Sequence, residues 1–276
     1  MKIILFIILF IVFIILSIIV FLLSNRDKIF YFLPKYIHNP QFEKFLKDYN
    51  GVKYKCKVDG VDIIDLPPRK NTNKVIVFFH GNYGNIQTRD RILSFLSDSF
   101  KCRIVSVDYL HGKEASINNI LKITSSVIHE LVENGVELDD MIIWGESIGC
   151  AMSLETIKLT RVNNFVMMAG FRRMRDMVEI ILGGKLGIFA KKFVTELDNQ
   201  KHLENNKDLN LIVLHSKDDD LIPFTQVKEM VNKLKLEFYE IEGTHNSPII
   251  KQKIIEKIKN KFNISPLDIL LLYMLE

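Results

Sequence analysis

Between residues 52 and 262 the sequence alternates short apolar runs with longer amphipathic segments. The runs KVIVFF at 74–79, RIVSV at 103–107 and MIIW at 141–144 are typical of strands that are covered on both faces. The stretch at 115–134, between two of these runs, has helical periodicity. Strands that alternate with helices predict an α/β domain with a mostly parallel sheet and helices on both faces.

Apolar runs and helical periodicity also predict the remaining elements of the chain. It predicts a hairpin at 52–66 that turns at Asp59-Gly60, helices at 84–98, 148–159, 225–234 and 248–262, and further strands at 165–169, 209–215 and 236–241.

Composition excludes several classes of protein. The chain has 276 residues, and 37 Lys and Arg against 33 Asp and Glu leave a net charge of only +4, so a basic nucleic-acid-binding face is not indicated. Its three cysteines are far apart and odd in number, which argues against both a disulfide framework and paired zinc ligands.

The first 24 residues, MKIILFIILFIVFIILSIIVFLLS, have Lys2 as their only charged residue. A run of about 20 apolar residues is long enough to cross a bilayer as a helix and longer than the apolar part of a cleaved signal peptide. The sequence therefore predicts a transmembrane anchor at 1–24, a juxtamembrane segment at 25–50 and the main domain at 51–276. This makes the protein a single-pass membrane protein, with the side of the main domain left open.

A long stretch at about 170–208 interrupts the alternation and carries six Arg and Lys residues within FRRMRDMVEIILGGKLGIFAKKF. Either it is a solvated helical excursion, or it is a small helical cap over a site that also touches an anionic bilayer. The C-terminal LDILLLYML is too short to span a membrane and predicts a packed helix.

The sharpest chemical signal is Gly145-Glu146-Ser147-Ile148-Gly149, which follows a predicted strand and opens a predicted helix. In this context G-x-S-x-G forms a tight turn that exposes the serine hydroxyl above the sheet. Ser147 is therefore the candidate nucleophile.

A serine hydroxyl needs a base that a third group orients. Of the histidines after Ser147, His245 lies in a polar loop after the last predicted strand and is the best candidate base, whereas His202 and His215 are less well placed. The acid is expected among Asp218, Asp219 and Asp220, at the end of the preceding strand, although three carboxylates in a row also suit a solvated turn.

Stabilisation of an oxyanion needs N–H donors. The candidates are the backbone N–H of Ile148, just after the serine, and that of Asn82 in the loop HGNYGN after the strand at 74–79. The loop lacks the patterns of a nucleotide-binding site, and no His, Cys or Asp grouping has metal-ligand spacing. We therefore expect neither a metal nor an organic cofactor.

Together these motifs resemble the α/β-hydrolase superfamily, and more narrowly its single-pass membrane-anchored branch near serine aminopeptidases and monoacylglycerol lipases. HGNYGN is similar to the oxyanion loop of that branch and GTHN to its histidine segment. GESIG is similar to its nucleophile elbow, the tight turn that carries the serine. DDLIP is similar to its acid segment, in which the acid lies four residues before proline, and this resemblance selects Asp219.

The resemblance implies an α/β-hydrolase fold with a short cap and a catalytic triad of Ser147, His245 and Asp219. The expected activity is hydrolysis of an acyl ester or thioester, with a lipid or an acylated protein at the membrane as the substrate. A serine aminopeptidase-like peptidase and a catalytically silent interaction protein are the alternatives.

Overall fold

The computed structural model describes residues 36–111, 116–194 and 196–264, together with residues 10, 13, 14, 16, 17, 20 and 24. Its helices and strands in chain order are α1 (Phe42–Asp48), β1 (Val52–Lys55), β2 (Asp62–Leu66), β3 (Val75–Phe79), α2 (Asp90–Phe100), β4 (Arg103–Val107), α3 (Ile117–Glu133), β5 (Met141–Glu146), α4 (Ile148–Thr160), β6 (Asn164–Met168), α5 (Met174–Leu182), α6 (Gly184–Ala190), α7 (Asn199–Asn205), β7 (Asn210–Ser216), α8 (Phe224–Leu234), β8 (Phe238–Thr244), β9 (Ser247–Ile249) and α9 (Gln252–Lys261).

Within the described residues the strands form one sheet in the order β1-β2-β4-β3-β5-β6-β7-β8-β9. All pairs from β4 to β8 along this order are parallel, and antiparallel pairs add β1 and β2 at one edge and β9 at the other. The predicted α/β architecture with a mostly parallel sheet is confirmed.

Successive side chains of each central strand enter opposite cores, as the period of two in a strand requires. Val77 of β3 belongs to the core that also contains residues of α3, α4 and α8, whereas Ile76 and Phe78 belong to the core that contains residues of α1, α2 and α9. Because both faces are covered, every residue of β3 is buried, which explains the continuous apolar run. Helices thus lie on both faces of the sheet, as predicted.

The chain after β8 differs from its predicted course. Residues 247–249 are strand β9 paired with β8, not the start of the predicted helix at 248–262, and α9 begins only at Gln252. Gly243 permits this pairing, because its φ is +85° and a Cβ there would lie 2.1 Å from the Ser247 carbonyl oxygen. The apolar periodicity of 248–262 does not reveal such a tight backbone approach.

The N-terminal membrane prediction requires a correction. Among the residues that the structure describes, no helix combines the length and the apolar character needed to cross a bilayer. The predicted single-pass membrane location is therefore overturned. Most of the run at 1–24 lies outside the described residues, as does the predicted C-terminal helix within 265–276.

The described part of the predicted juxtamembrane segment packs on the sheet. Phe42, Phe45 and Leu46 of α1 are buried in the same core as Ile64 and Leu66 of β2. Residues 36–50 are therefore an integral part of the described α/β body.

The stretch at 170–208 forms helices α5, α6 and α7, which leave the sheet at the carboxyl end of β6. Its arginines do not form a free basic face. Arg172 and Arg173 both pair with Asp176, and Arg175 pairs with Glu196. Carboxylates within and beside the stretch thus neutralise these charges, which favours a solvated helical excursion over an anion-binding surface.

Candidate active site

Ser147 lies alone between the end of β5 and the start of α4, and its backbone is strained. Its φ of +56° and ψ of −120° lie in a region that non-glycine residues rarely adopt. The glycines on either side have no room for a side chain: a Cβ on Gly149 would lie 2.1 Å from the Phe79 carbonyl oxygen, and one on Gly145 would lie 2.7 Å from the Cys150 Cα. The sharp turn predicted from the sequence is thus present.

His245 occupies a tight hairpin turn. Thr244 of β8 pairs with Ser247 of β9, so only His245 and Asn246 connect the two strands. The ring is nearly buried, with an exposure of 6%, and its Nε2 lies 3.0 Å from the Ser147 Oγ. The structure therefore brings together two predicted residues that are 98 positions apart in the chain.

Asp219 lies on the other side of the imidazole. Its Oδ2 is 2.9 Å from His245 Nδ1, and its Oδ1 accepts hydrogen bonds from the N–H groups of Leu221 and Ile222. Burial would raise the pKa of Asp219, but the hydrogen bonds from His245 and the Ile222 N–H outweigh burial and hold this pKa below its ordinary value. Asp219 is thus an ionised partner for His245.

The neighbouring aspartates have different surroundings. Asp220 accepts a hydrogen bond of 3.1 Å from the backbone N–H of His245, so it holds the hairpin rather than the ring. Asp218 is exposed, and its carboxylate has no hydrogen-bond partner in the described part of the chain. The sequence argument did not anticipate the contact of Asp220, because it depends on the hairpin.

The other two histidines after Ser147 have structural contacts. His215 is fully buried and its Nε2 lies 3.0 Å from the Ile222 carbonyl oxygen, so it ties the aspartate loop to β7. Burial lowers the pKa of His215, which favours a neutral ring. His202 pairs with Glu155 at 2.6 Å, on α7 and α4.

The loop that contains Asn82 packs directly against the serine. A Cβ built on Gly81 would lie 3.3 Å from the Ser147 Cβ. Ile148 is the first residue of α4, so its N–H has no partner within the helix. The Asn82 N–H donates no hydrogen bond to any described residue. Gly81, the residue before Asn82, and Ile148, the residue after the serine, thus lie next to Ser147, and the two donors stay a prediction.

A buried carboxylate supports this loop from behind. Asp108 lies 2.7 Å from His111 Nδ1 and 3.4 Å from His80 Nε2, while His80 Nδ1 contacts the Gly81 carbonyl oxygen at 2.8 Å. Burial would raise the pKa of Asp108, but the two histidines outweigh burial and lower it to about 2. His80 therefore supports the loop, and Asp108 is a residue that sequence reasoning missed.

The described residues contain no cluster of three or more His, Cys, Asp or Glu side chains that could hold a metal ion. Cys56, Cys102 and Cys150 are buried and free.

Comparison with known proteins places this geometry in a fold. No family model matches the sequence. An esterase of Pyrococcus furiosus is 14% identical, with a TM-score of 0.60 over 83% of this chain and 95% of that chain. A thermophilic carboxylesterase cloned from a metagenomic library is 15% identical, with a TM-score of 0.55 over 82% of this chain and 98% of that chain. The chain has the α/β-hydrolase fold.

Two sequence relatives come from Acanthamoeba polyphaga mimivirus. One carries the name "Putative alpha/beta hydrolase" and is 22% identical over 242 residues, which cover 83% of this chain and 89% of the relative. The other is an uncharacterized protein, 24% identical over 219 residues, which cover 70% of this chain and 74% of the relative. In the α/β-hydrolase fold the serine follows a central strand and the acid precedes the histidine in the chain. Ser147, Asp219 and His245 occur in that order.

The crowding at the turn makes Gly149→Ala a sharp test of its geometry. The added methyl would overlap the Phe79 carbonyl oxygen, so we expect a loss of about 3 kcal/mol or more in the free energy of unfolding, measured by urea titration. Gly135→Ala is the control, since its Cβ would meet open space and only the positive φ is unfavourable, at about 1 kcal/mol. Equal losses in the two variants would contradict the steric argument.

The lowered pKa of Asp108 gives a pH-dependent contribution to stability. A depressed pKa stabilises the folded state above the ordinary value of 3.8, and this contribution is lost as the pH falls towards about 2. We expect the stability gap between the wild type and Asp108→Asn to shrink by about 2 kcal/mol over that window, measured by urea titration from pH 7 to pH 3 and below. Asp48→Asn, at an exposed carboxylate on α1, is the control and is expected to show a small gap throughout. A pH-independent gap for Asp108→Asn would contradict the assignment.

Proposed function

We propose that this chain is a serine hydrolase that cleaves a carboxylic ester through Ser147, His245 and Asp219. One observation carries the proposal: a continuous hydrogen-bonded chain runs from the Ser147 Oγ through both nitrogens of His245 to Asp219, at 3.0 and 2.9 Å. Those three side chains come from the ends of three different strands, and each is held by its own backbone turn.

The roles follow from the geometry. With its Nδ1–H donating to Asp219, His245 presents an unprotonated Nε2 to the Ser147 hydroxyl. As the Ser147 Oγ attacks the ester carbonyl carbon, His245 takes the hydroxyl proton. Asp219 then stabilises the resulting imidazolium without itself becoming protonated.

The attack places negative charge on the carbonyl oxygen of the tetrahedral intermediate. The N–H groups of Asn82 and Ile148 would donate to this oxyanion, and each such donor is worth about 3–4 kcal/mol in known hydrolases. His245 passes its proton to the departing alcohol, which leaves an acyl-enzyme. Water, deprotonated by His245, then attacks the acyl carbon, and the acid is released as Ser147 recovers its proton.

The choice of an ester rests on the structural neighbours, several of which are named as esterases. The sequence argument for a lipid or an acylated protein, including a thioester, depended on the membrane anchor and loses that basis with the correction above. A thioester and an aminoacyl amide therefore enter only as test substrates.

The first test concerns the nucleophile. We expect a fluorophosphonate probe to label the wild-type chain, and Ser147→Ala to abolish labelling and to lower the hydrolysis of p-nitrophenyl esters by at least about 10³-fold. Labelling is read by intact-mass spectrometry and turnover by absorbance. His245→Asn, which removes the proposed base, should also abolish most of this turnover. His202→Asn is its matched control, because it alters a histidine in a structural pair and should retain activity.

Two results would overturn the proposal. Normal labelling of Ser147→Ala would mean that another group reacts. A folded wild-type chain inert towards the probe, esters, thioesters and aminoacyl anilides would favour a catalytically silent protein.

The second test separates the three aspartates. Asp219→Asn is expected to lower kcat by about 10⁴-fold, as loss of the orienting carboxylate does in other triads. Asp220→Asn should have a small effect, because an amide oxygen can still accept from the His245 N–H, and Asp218→Asn should have none. The measurement is kcat for one ester with each purified variant, and a major loss in Asp218→Asn would show that the acid is wrongly assigned.

A further inference from the structure

A buried ion pair lies beside the candidate nucleophile and takes no part in the triad. Glu146 directly precedes Ser147, and Arg89 ends the short 3₁₀ helix at Ile86–Arg89. Arg89 Nε lies 2.8 Å from Glu146 Oε2, and the two residues are only 8% and 9% exposed. Burying two charges is unfavourable unless further hydrogen bonds satisfy them, so the remaining contacts of this pair indicate what it holds.

Those contacts converge on one short stretch of backbone. Glu146 Oε2 also accepts a hydrogen bond from the Gly81 N–H at 2.9 Å. The Arg89 guanidinium donates to the Tyr83 carbonyl oxygen at 2.7 Å, to Thr88 Oγ1 at 2.9 Å and, at a longer 3.4 Å, to the Gly81 carbonyl oxygen. The ion pair therefore holds the backbone on both sides of a single residue, Asn82.

Asn82 is the residue whose N–H would serve the oxyanion. Gly81 is anchored on one side and packs against Ser147, while Asn82 itself has no backbone hydrogen bond among the described residues. Its Oδ1 is buried and has no partner there. The loop thus presents a rigid peptide with an unused donor beside the serine.

We propose that Arg89 and Glu146 are positioning residues that fix the Asn82 N–H for the oxyanion. The inference rests on the proposed hydrolase function and deepens it. Glu146 directly precedes the nucleophile and accepts a hydrogen bond from Gly81, so it links the loop that contains Asn82 to the turn that contains Ser147 and Ile148. The two N–H donors therefore move as one unit. Arg89 also neutralises a carboxylate that would otherwise repel the developing oxyanion.

The neutralisation of Glu146 by Arg89 predicts a specific order of activity among the variants. Arg89→Met leaves an unpaired buried carboxylate next to Ser147. It should therefore lower kcat more than the double variant Arg89→Met/Glu146→Leu, which removes both charges. Glu146→Gln keeps an acceptor for Gly81 and should be mild. Arg89→Lys should be intermediate, because an ammonium group cannot reproduce the planar fork of donors.

The experiment measures kcat and KM for an ester together with the Ki of a trifluoromethyl ketone, which Ser147 converts to a tetrahedral adduct. We expect Arg89→Met to lower kcat and to raise this Ki by a similar factor of about 10², with KM changed less than about threefold. The control is Arg103→Met, which breaks a partly buried ion pair away from the site. Arg103 of β4 lies 2.6 Å from Asp65 of β2 in that pair. This variant should lower the thermal midpoint and leave kcat and Ki unchanged.

Hydrogen exchange adds a readout that does not depend on turnover. The Gly81 amide should be protected in the wild type and should exchange faster in Glu146→Leu, measured on peptides covering residues 79–90, but not in Arg103→Met.

The outcomes separate the two proposals. If Arg89→Met lowers the thermal midpoint as Arg103→Met does while kcat and Ki stay at wild-type values, the positioning role is wrong and the hydrolase stands. Unchanged Gly81 exchange in Glu146→Leu would likewise overturn the positioning role alone. A wild-type chain without Ser147-dependent ester turnover would overturn the proposed function.

Discussion

The strained turn at Ser147 is the constraint on which the rest of the site depends. A φ of +56° is unfavourable for serine, and it persists because the surrounding backbone leaves no alternative. Gly149 packs onto the carbonyl of Phe79, and the Ser147 N–H donates to the Met168 carbonyl oxygen at 3.0 Å. The strands β3 and β6 on either side thus fix the turn, and the rigidity of the central sheet becomes the rigidity of one hydroxyl group.

Parallel strands explain why residues far apart in the chain meet at this turn. The carboxyl ends of β5, β7 and β8 lie along one edge of the sheet, and Ser147, Asp219 and His245 follow those ends. The histidine is a special case because it lies in a hairpin turn with β9, not in a long loop. A two-residue turn restricts the ring far more than a free loop would.

Sequence reasoning located the parts of the site that depend on local chain geometry. The nucleophile elbow can be recognised because a tight strand-to-helix turn demands glycine at fixed positions. His245 can be recognised because it lies in a polar loop after the last predicted strand. Reasoning from the residues left three aspartates open, since their distinct partners exist only after the hairpin has formed. Arg89, Glu146 and Asp108 gave no signal, because a buried charge is recognised only once its partner across the fold is known.

The N-terminal run is a case in which the sequence carries a strong signal that the structure does not support. Twenty-four residues with a single charge predict a membrane span on hydropathy alone, yet no helix of the described residues meets that requirement. For residues 170–208 the basic sequence left two interpretations open, a solvated helical excursion and a cap that touches an anionic bilayer. The structure pairs its arginines with Asp176 and Glu196. Charge counts record composition, whereas charge exposure depends on which side chains pair in the fold.

The electrostatics of the site follow one pattern. Three carboxylates lie beside the candidate triad or the loop that contains Asn82, and each has its own partner: Asp219 contacts His245, Glu146 pairs with Arg89 and Asp108 contacts two histidines. Each carboxylate thus acts as a hydrogen-bond acceptor that orients a neighbouring group. Because Arg89 and Glu146 are buried, solvent screening between them is weak, and loss of the Arg89 cation would leave an unbalanced carboxylate next to Ser147. The arrangement therefore couples the stability of the folded loops to the charge balance at Ser147.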